Sequence, residues 1–299
     1  MTRAVSERWL ALALFAIVVL GWGFTWVAIK LIVTQVPVFW STAIRSMTAT
    51  VGVLGLLLMR GQLILPRRAD LPVVLVAGLF HSVAFSVLIS IGLKYVPVGR
   101  SVVLAYTTPL WVAPGAWLFL REKMPRMRLI GIGIGLIGLL TMFNPLTFDW
   151  TAGPALMGNG LLLLAALSWS VSILYVRVHR WISSPFQLLF WQSLLATLVM
   201  VAMAGTVEGW PHIDWTLSLT AEFAYAGLVG SALAFWAMNE VSRRLPATLT
   251  SLGLLATPVV GILSSALFLG EAIEPPLMLA TALILTGIGI GTIRRRAAA

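Results

Sequence analysis

The chain has 299 residues, of which 60% are hydrophobic and only 10% are charged. So few charged residues cannot cover a water-soluble protein of this size, which indicates that lipid contacts most of the outside. The formal net charge of +10 could suggest a nucleic-acid partner, but the basic residues form short clusters between apolar runs rather than one polar face. The absence of cysteine excludes disulfides and thiolate metal sites.

Apolar runs long enough to cross a bilayer follow one another along the chain. A membrane helix needs about 20 apolar residues, and charged, proline-bearing or polar clusters separate ten such runs. They cover residues 9–33, 37–59, 71–93, 98–120, 127–143, 155–177, 184–204, 219–241, 246–269 and 275–293. The first run is too long for a signal-peptide core and lacks a small-residue cleavage pattern, so we expect it to be retained. The sequence thus predicts an all-α membrane protein with ten transmembrane helices.

Basic residues lie almost entirely on one set of connecting loops. With the amino terminus inside, the internal loops and ends carry arginine clusters such as Arg67-Arg68 and Arg243-Arg244, whereas the external loops carry only Lys94 and Arg100. Cytoplasmic loops of membrane proteins are enriched in Lys and Arg. We therefore expect a multi-pass protein of the cell inner membrane with both termini in the cytoplasm.

The two halves of the sequence resemble each other. Sliding the sequence along itself aligns Ser82 with Ser231, Pro97 with Pro246, Thr108-Pro109 with Thr257-Pro258, and Glu122 with Glu271. This predicts a five-helix repeat over residues 1–148 and a second over residues 149–299. Because five is odd, the second repeat enters the membrane the other way up. Inverted repeats are typical of carriers that alternate access to a central site near the midplane.

Arg45 is the charge predicted to lie deep in the membrane. It follows Pro37 by eight residues, which places it roughly 12 Å below the outer end of helix two. A charge at that depth must be paired, hydrated or turned toward a cavity. We favour a structural arginine that caps carbonyls of a broken neighbouring helix, and the alternative is a group that receives a carboxylate or organises a gate. Its counterpart after Pro185 is near Gln192, so any role of the charge is asymmetric.

His81 is predicted near the midplane on helix three, beside Ser82 and one turn before Phe85. A lone membrane histidine is either a neutral packing residue or part of a polar cavity wall. Because the repeat predicts Ser231 and Phe235 on the facing element, we favour the cavity wall.

A carrier of two inverted halves must bring its solute into contact with both. Several Trp and Tyr residues lie well inside the bilayer rather than at its edges, where an aromatic belt would place them. The predicted substrate-binding residues are the deep polar and aromatic ones: Trp22, Thr25, His81, Ser82, Phe85, Tyr106, Trp169, Ser172, Ser231 and Phe235. Rings would pack on the side chain of the solute, while hydroxyls, water and freed backbone carbonyls would hold its polar groups.

Pro109 and Pro258 interrupt helices four and nine at equivalent positions of the repeat. A proline within a helix leaves a carbonyl without its donor and permits a kink. The two prolines either fix a static helix shape or, like Arg45, contribute to gating.

The absent residue types restrict the chemistry. No Asp or Glu is predicted near mid-depth, because Glu222 and Glu240 belong to the ends of helix eight. His81 is then the only deep side chain that titrates near neutral pH, and we expect export to run down the solute gradient without tight proton coupling. There is no Walker motif, zinc-ligand helix or Ser-His-Asp set, so we expect no cofactor, no metal and no enzymatic activity.

Two copies of one pattern resemble the paired EamA domains of the drug/metabolite transporter superfamily. The first is Thr108-Pro109 with Leu118-Phe119-Leu120-Arg121-Glu122 and a Gly-rich helix, and the second is Thr257-Pro258 with Leu267-Phe268-Leu269-Gly270-Glu271 and another. Pro37 followed by Arg45 resembles the same family. The resemblance implies a basket of ten helices whose central cavity is formed mainly by helices one, three, four, six, eight and nine, with export as the usual direction.

Within that superfamily, the layout with Trp22, His81, Tyr106 and Trp169 is similar to bacterial aromatic amino acid exporters. We therefore predict a secondary transporter that exports amino acids with a broad range of side chains, including aromatic ones, by alternating access. The alternative is an exporter of lipophilic cationic drugs or other small metabolites, which aromatic walls would hold by cation–π contacts. The expected partners are a small-molecule substrate and the lipid bilayer, without nucleic acid, and no oligomer is required.

Overall fold

The computed structural model describes residues 2–143, 153–245, 249–250 and 253–292. Within these ranges the chain is helical and contains no strand, which confirms the all-α prediction. The helices described are α1 (Thr2–Gln35), α2 (Val38–Met59), α3 (Arg68–Tyr95), α4 (Val98–Leu120), α5 (Arg126–Met142), α6 (Gly153–Val178), α7 (Pro185–Val207), α8 (Leu217–Arg244), α9 (Ala256–Leu269) and α10 (Pro275–Thr292).

Among the described helices, eight are long and apolar enough to cross a membrane. The other two are α5, with 17 residues, and α9, with 14. Part of the predicted run at 246–269 lies outside the described residues. The outer surface of the bundle is apolar: Phe119 is 74% exposed and Leu267 is 75% exposed, as expected for a surface in contact with hydrocarbon chains.

Prolines mark where several helices begin. Pro37 and Pro97 immediately precede α2 and α4, and Pro185 is the first residue of α7. Proline suits these places because the first amides of a helix have no partner within it. At α7, Ser184 and Gln187 add a capping box in which each side chain bonds the other residue's backbone N–H. The prolines therefore separate successive spans with short turns.

Two helices carry π-helical segments at corresponding places in the aligned halves. The segments are Ala77–Phe85 in α3 and Tyr225–Leu233 in α8. A π turn widens the helix and changes which carbonyls receive an amide donor, and such turns are frequent at functional sites. In α3 the Phe80 carbonyl accepts a hydrogen bond of 2.7 Å from Ser168 Oγ of α6. The widened part of α3 is therefore attached to the other half of the protein.

The interior is built from contacts between the two halves. α1 packs against α8 and α9, α6 packs against α3 and α4, and α2, α4 and α5 pack against α7, α9 and α10 respectively. α5 and α10 approach closely, because a Cβ atom on Gly131 would lie 2.4 Å from the carbonyl oxygen of Gly287. Small residues allow this backbone contact between membrane helices. The halves are thus interleaved.

Candidate functional site

A cavity of about 170 Å³ lies between the two halves. A single water molecule needs only about 10–15 Å³ of such space, so the cavity is large enough for a small solute with accompanying water. Its described lining comes from seven helices: Trp22, Thr25, Trp26 and Ile29 of α1; Arg45, Ser46, Ala49 and Val53 of α2; His81, Ser82, Phe85, Ser86 and Ile89 of α3; Tyr106 of α4; Trp169 of α6; Leu189, Ser193 and Met200 of α7; and Gly230, Ser231 and Phe235 of α8.

Trp169 is the centre of an aromatic cluster along this cavity. The His81 ring stacks on it with a centroid distance of 5.3 Å and an interplanar angle of 16°. The rings of Phe85 and Tyr106 lie 5.0 Å and 6.2 Å from the Trp169 ring. Three residues of the first half therefore contact one tryptophan of the second.

Phe235 extends the cluster toward α1. Its ring lies 6.0 Å from His81 and 5.5 Å from Trp22, edge to face in both cases. Edge-to-face contacts are favourable arrangements for aromatic rings. The cluster is thus continuous from α1 through α8 and α3 to α6, and it joins both halves.

The local structure of α3 explains why it contributes so many lining residues. His81, Ser82 and Phe85 lie in or at the end of the π segment, and Ser86 and Ile89 continue the same face in the following α-helical turns. Residues separated by three to four positions share a helix face. One side of α3 therefore carries two hydroxyls, an imidazole and a phenyl ring together.

A glycine allows α1 and α8 to meet at the cavity wall. A Cβ atom on Gly230 would lie 1.9 Å from Thr25 Oγ1, a distance that no side chain can adopt. The Thr25 hydroxyl donates a hydrogen bond of 2.6 Å to the Gly21 carbonyl of its own helix. Thr25 is therefore held in place, and Gly230 makes room for it.

Nine of the ten predicted substrate-binding residues line the cavity, namely Trp22, Thr25, His81, Ser82, Phe85, Tyr106, Trp169, Ser231 and Phe235. Ser172 is buried on α6 and is not among the described lining residues. Of the residues expected to act in gating or kinking, Arg45 lines the cavity, whereas Pro109 and Pro258 do not. The structure thus brings most of these residues together, and their role in binding stays a prediction.

The helix break beside Pro109 is stabilised from within the protein. α4 is interrupted at Tyr106 and Thr107, shortly before the proline. The Ala105 carbonyl is the one that an amide at position 109 would have bonded, and it accepts a hydrogen bond of 2.7 Å from the Thr108 hydroxyl instead. This carbonyl therefore already has one partner within the protein, and the contact of freed carbonyls with a solute stays a prediction.

Two helices that the resemblance does not include also line the cavity. α2 contributes Arg45 and its neighbours, α7 contributes Ser193, and no described residue of α9 takes part. Gln192, the expected counterpart of Arg45, is buried, and the next residue faces the cavity instead. Ser193 follows Pro185 by the same eight residues that separate Arg45 from Pro37. That spacing was the available signal for this residue.

Arg45 is the only charged residue among the described residues that line the cavity. Within the described part of the chain its guanidinium has no ion pair and no hydrogen bond. The helix that carries it is held against α7, because Thr197 Oγ1 lies 2.8 Å from Ser46 Oγ and 3.0 Å from Thr50 Oγ1. The described lining thus combines one uncompensated positive charge with hydroxyls and aromatic rings.

At the predicted outer end, two carboxylates of the second half cap helices of the first. Glu271 accepts hydrogen bonds from the amides of Val98 and Gly99 at the start of α4, at 2.8 and 3.0 Å. Glu208 accepts from two amides in the first turn of α2 in the same way, at 3.2 and 3.1 Å. A negative charge is favourable at a helix amino terminus, where amides lack partners.

Ion pairs join the halves at the predicted cytoplasmic end. They are Arg60–Glu240 at 3.4 Å and Arg177–Glu122 at 2.9 Å. His179 Nε2 also lies within hydrogen-bond distance of Asp70 Oδ1, at 3.1 Å. The buried Asp70 also accepts hydrogen bonds from the backbone amides of Ile182 and Ser183. Both ends of the bundle therefore carry polar contacts between the halves.

A second cavity, of about 290 Å³, lies near the predicted outer end and contains both signs of charge. Arg100, Glu271 and Glu274 all line it. The Arg100 guanidinium donates to Asn159 Oδ1 at 2.8 Å and to the Met142 carbonyl at 2.6 Å. In contrast to Arg45, this arginine has its hydrogen-bond partners inside the protein.

One family matches each half of this helical arrangement. The EamA-like transporter family matches residues 9–144 and again residues 156–292. The chain belongs to the EamA-like transporter family. This EamA protein is therefore a membrane transporter of the drug/metabolite transporter superfamily.

Several curated proteins are similar to this EamA transporter over almost their full length. The uncharacterized transporter YoaV of Bacillus subtilis is 25% identical over 92% of this chain and 94% of its own. The uncharacterized inner membrane transporter YedA of Escherichia coli K12 is 27% identical over 94% and 90%. A protein of Salmonella typhimurium named "Probable amino-acid metabolite efflux pump" is 26% identical over 93% of both chains.

One solved crystal structure has the same fold. It superposes with a TM-score of 0.67 over 95% of this chain and 98% of its own, at 20% sequence identity. At this identity the likeness concerns the fold alone.

Proposed function

We propose that this EamA transporter consists of ten membrane-crossing helices in two inverted five-helix repeats, divided near residue 148. Paired local features support the duplication. The π segments of α3 and α8 correspond, and the turn before Pro109 in α4 corresponds to the turn at Leu254–Leu255 before Pro258 in α9. α4 and α9 also both end in a left-handed residue, Arg121 with φ 53° and Gly270 with φ 67°.

The transported solute is an amino acid, with a broad range of side chains that includes aromatic ones. The observation that carries this proposal is the aromatic cluster around Trp169, which both halves build beside hydroxyl groups in one cavity. Rings contact an apolar or aromatic side chain, while hydroxyls and water bond polar groups. The name of the similar Salmonella protein supports amino-acid metabolites as the solute class.

Export proceeds by alternating access in this proposal. A cavity lined by two inverted halves opens to either side when one half tilts against the other. The contacts between the halves at the two ends would then break in turn: those of Glu208 and Glu271 when the outer end opens, and the Arg60–Glu240 and Arg177–Glu122 pairs when the inner end opens.

The protein lies in the inner membrane with both termini in the cytoplasm, according to the distribution of basic residues. Because the chain has no cysteine, single cysteines report accessibility without interference. Gln62→Cys tests the predicted inner side and His212→Cys the predicted outer side. A membrane-impermeant maleimide applied to whole spheroplasts should label only the second variant. Labelling of the first alone would reverse the orientation.

Counterflow in proteoliposomes tests the substrate class. Vesicles that contain the full chain and a high internal concentration of one amino acid should accumulate labelled phenylalanine transiently and saturably. Protein-free vesicles supply the background rate. If none of the twenty amino acids shows saturable flux, an amino acid is not the substrate.

A further inference from the structure

Arg45 differs from other arginines of the described chain. Arg60, Arg128, Arg177 and Arg244 each pair with a carboxylate near a helix end. Arg45 lines the central cavity and, within the described residues, has neither a carboxylate nor a carbonyl as a partner. It therefore does not cap described carbonyls of a broken neighbouring helix, which was the interpretation favoured from the sequence.

An arginine in this position keeps its charge, because its guanidinium does not lose its proton in proteins. Removing a charge from water without a partner is strongly unfavourable. An unpaired guanidinium of this kind needs either water or an anion around it. An anion that displaces this water supplies the missing counter-charge. A carboxylate fits best, because two parallel N–H···O bonds match the planar fork of arginine.

The other described residues that line the cavity add polar groups but no negative charge. His81 and Tyr106, which also line the cavity, add an imidazole and a phenol and no fixed negative charge. The described lining contains no Asp or Glu, so it offers no counter-charge to an ammonium group. Ser46 and Ser193 line the cavity from α2 and α7 and add hydroxyls. The site is therefore complementary to a negative group with an apolar or aromatic body.

We propose that Arg45 binds the carboxylate of the transported solute, so that the site selects organic carboxylates over amines and does not recognise the ammonium group of an amino acid. This assignment rests on the transport function proposed above and specifies the chemistry that its cavity selects. The carboxylate lies at α2, and the body of the solute lies against the aromatic cluster around Trp169. Lipophilic cations are excluded by the positive charge of the site.

Four ligands that share one phenyl ring test this selection. Phenylalanine carries both charges, N-acetylphenylalanine only the carboxylate, and phenylalanine amide and phenethylamine only the ammonium group. Binding is measured as thermal stabilisation of the purified full chain, because a ligand that binds only the folded state raises its stability. N-acetylphenylalanine should bind at least as tightly as phenylalanine. Both amines should bind about 10- to 100-fold more weakly, as expected for loss of a charge-assisted hydrogen bond.

Variants separate a ligand-binding arginine from a structural one. Arg45→Gln should lose about 10- to 100-fold in affinity for N-acetylphenylalanine, while the melting temperature without ligand stays equal or rises. Arg45→Lys should recover part of the affinity, because it keeps the charge without the fork. Arg126→Gln is the matched control, since Arg126 is exposed at the start of α5. This control should leave both affinity and melting temperature unchanged.

Two results would overturn the assignment. One is tighter binding of phenethylamine than of N-acetylphenylalanine to the unmodified chain, which would also favour the cationic-drug alternative. The other is an Arg45→Gln variant that melts at a lower temperature but keeps its affinity, because that is the behaviour of a structural arginine. The first comparison needs no variant, so it decides the question even if Arg45→Gln does not fold.

Competition in counterflow distinguishes failure of this inference from failure of the proposed function. If labelled phenylalanine is transported and N-acetylphenylalanine does not compete, transport of amino acids stands and the Arg45 assignment fails. If no amino acid is transported and N-acetylphenylalanine still binds in an Arg45-dependent way, the assignment stands and the solute is a different carboxylate.

Discussion

Arg45 and Arg100 are both arginines inside helices of the first half, and their surroundings are opposite. Arg100 donates to a side-chain oxygen of Asn159 and to the Met142 carbonyl, and it shares its cavity with two glutamates. Arg45 shares its cavity with aromatic rings and hydroxyls and has no such partner in the described chain. An arginine whose donors are bonded within the protein contributes to the fold, whereas one without bonds is available to a ligand.

The two cavities differ in the same way. The cavity around Arg100 contains charges of both signs, because Glu271 and Glu274 line it together with the arginine. Among the described residues that line the central cavity, the only formal charge is the positive charge of Arg45. The balance of charge thus distinguishes a structural polar site from a candidate binding site.

The largest stability effect is expected at Arg100. Arg100→Ala leaves the oxygen atoms of Asn159 and Met142 without their donor, and the free energy of unfolding should fall by about 3 kcal/mol. Unfolding in detergent measures the change, with Arg126→Ala as the exposed control. Counterflow per folded molecule should stay the same. Unchanged stability of Arg100→Ala would remove the distinction between the two arginines.

Substitution of Glu271, which lines the same cavity as Arg100, should lower the stability of the fold by less. Glu271→Ala removes the acceptor for two amides at the start of α4, which should lower the free energy of unfolding by about 1 kcal/mol, as for other helix caps. Glu274→Ala is the matched control, because it lines the same cavity and is exposed. Equal losses in both variants would show that the cap of α4 does not stabilise the fold.

In the central cavity, Trp169→Ala should change selectivity rather than stability alone. The ring contacts a solute side chain in the proposed site, so the ratio of phenylalanine flux to alanine flux should fall about 3- to 10-fold, the range of one aromatic contact. Trp22→Ala should act in the same direction. Trp117, 56% exposed on the outer surface, provides the control Trp117→Ala. If neither cavity variant alters any flux in folded protein, these tryptophans are packing residues.

The smallest effect is expected when a pH gradient is imposed across the membrane. Arginine does not release its proton, and the described lining has no carboxylate that could exchange one. An imposed pH gradient across proteoliposomes should therefore drive no uphill accumulation of phenylalanine. Uphill transport that disappears in His81→Ala, while counterflow persists, would show that His81 couples transport to protons.

Much of the fold could be predicted from the sequence, because each feature depends on neighbouring residues. The predicted run at 155–177 corresponds to α6 at Gly153–Val178, and the breaks before Pro37 and Pro97 are turns in the structure. The participation of α2 and α7 in the cavity could not be predicted in this way. It depends on which face of each helix turns inward, and hydropathy does not report this when lipid and protein interior are equally apolar.

The sequence by itself determined that the chain is a helical membrane protein with paired halves, because a backbone in lipid must bond within its own span and duplicated residues remain visible by alignment. Only the tertiary structure decided that Arg45 shares a cavity with the rings around Trp169, while Arg100 is bonded to Asn159. The physical reason is that the partners of a charge come from helices distant in the chain. Whether that charge serves the fold or a ligand therefore depends on how those helices pack.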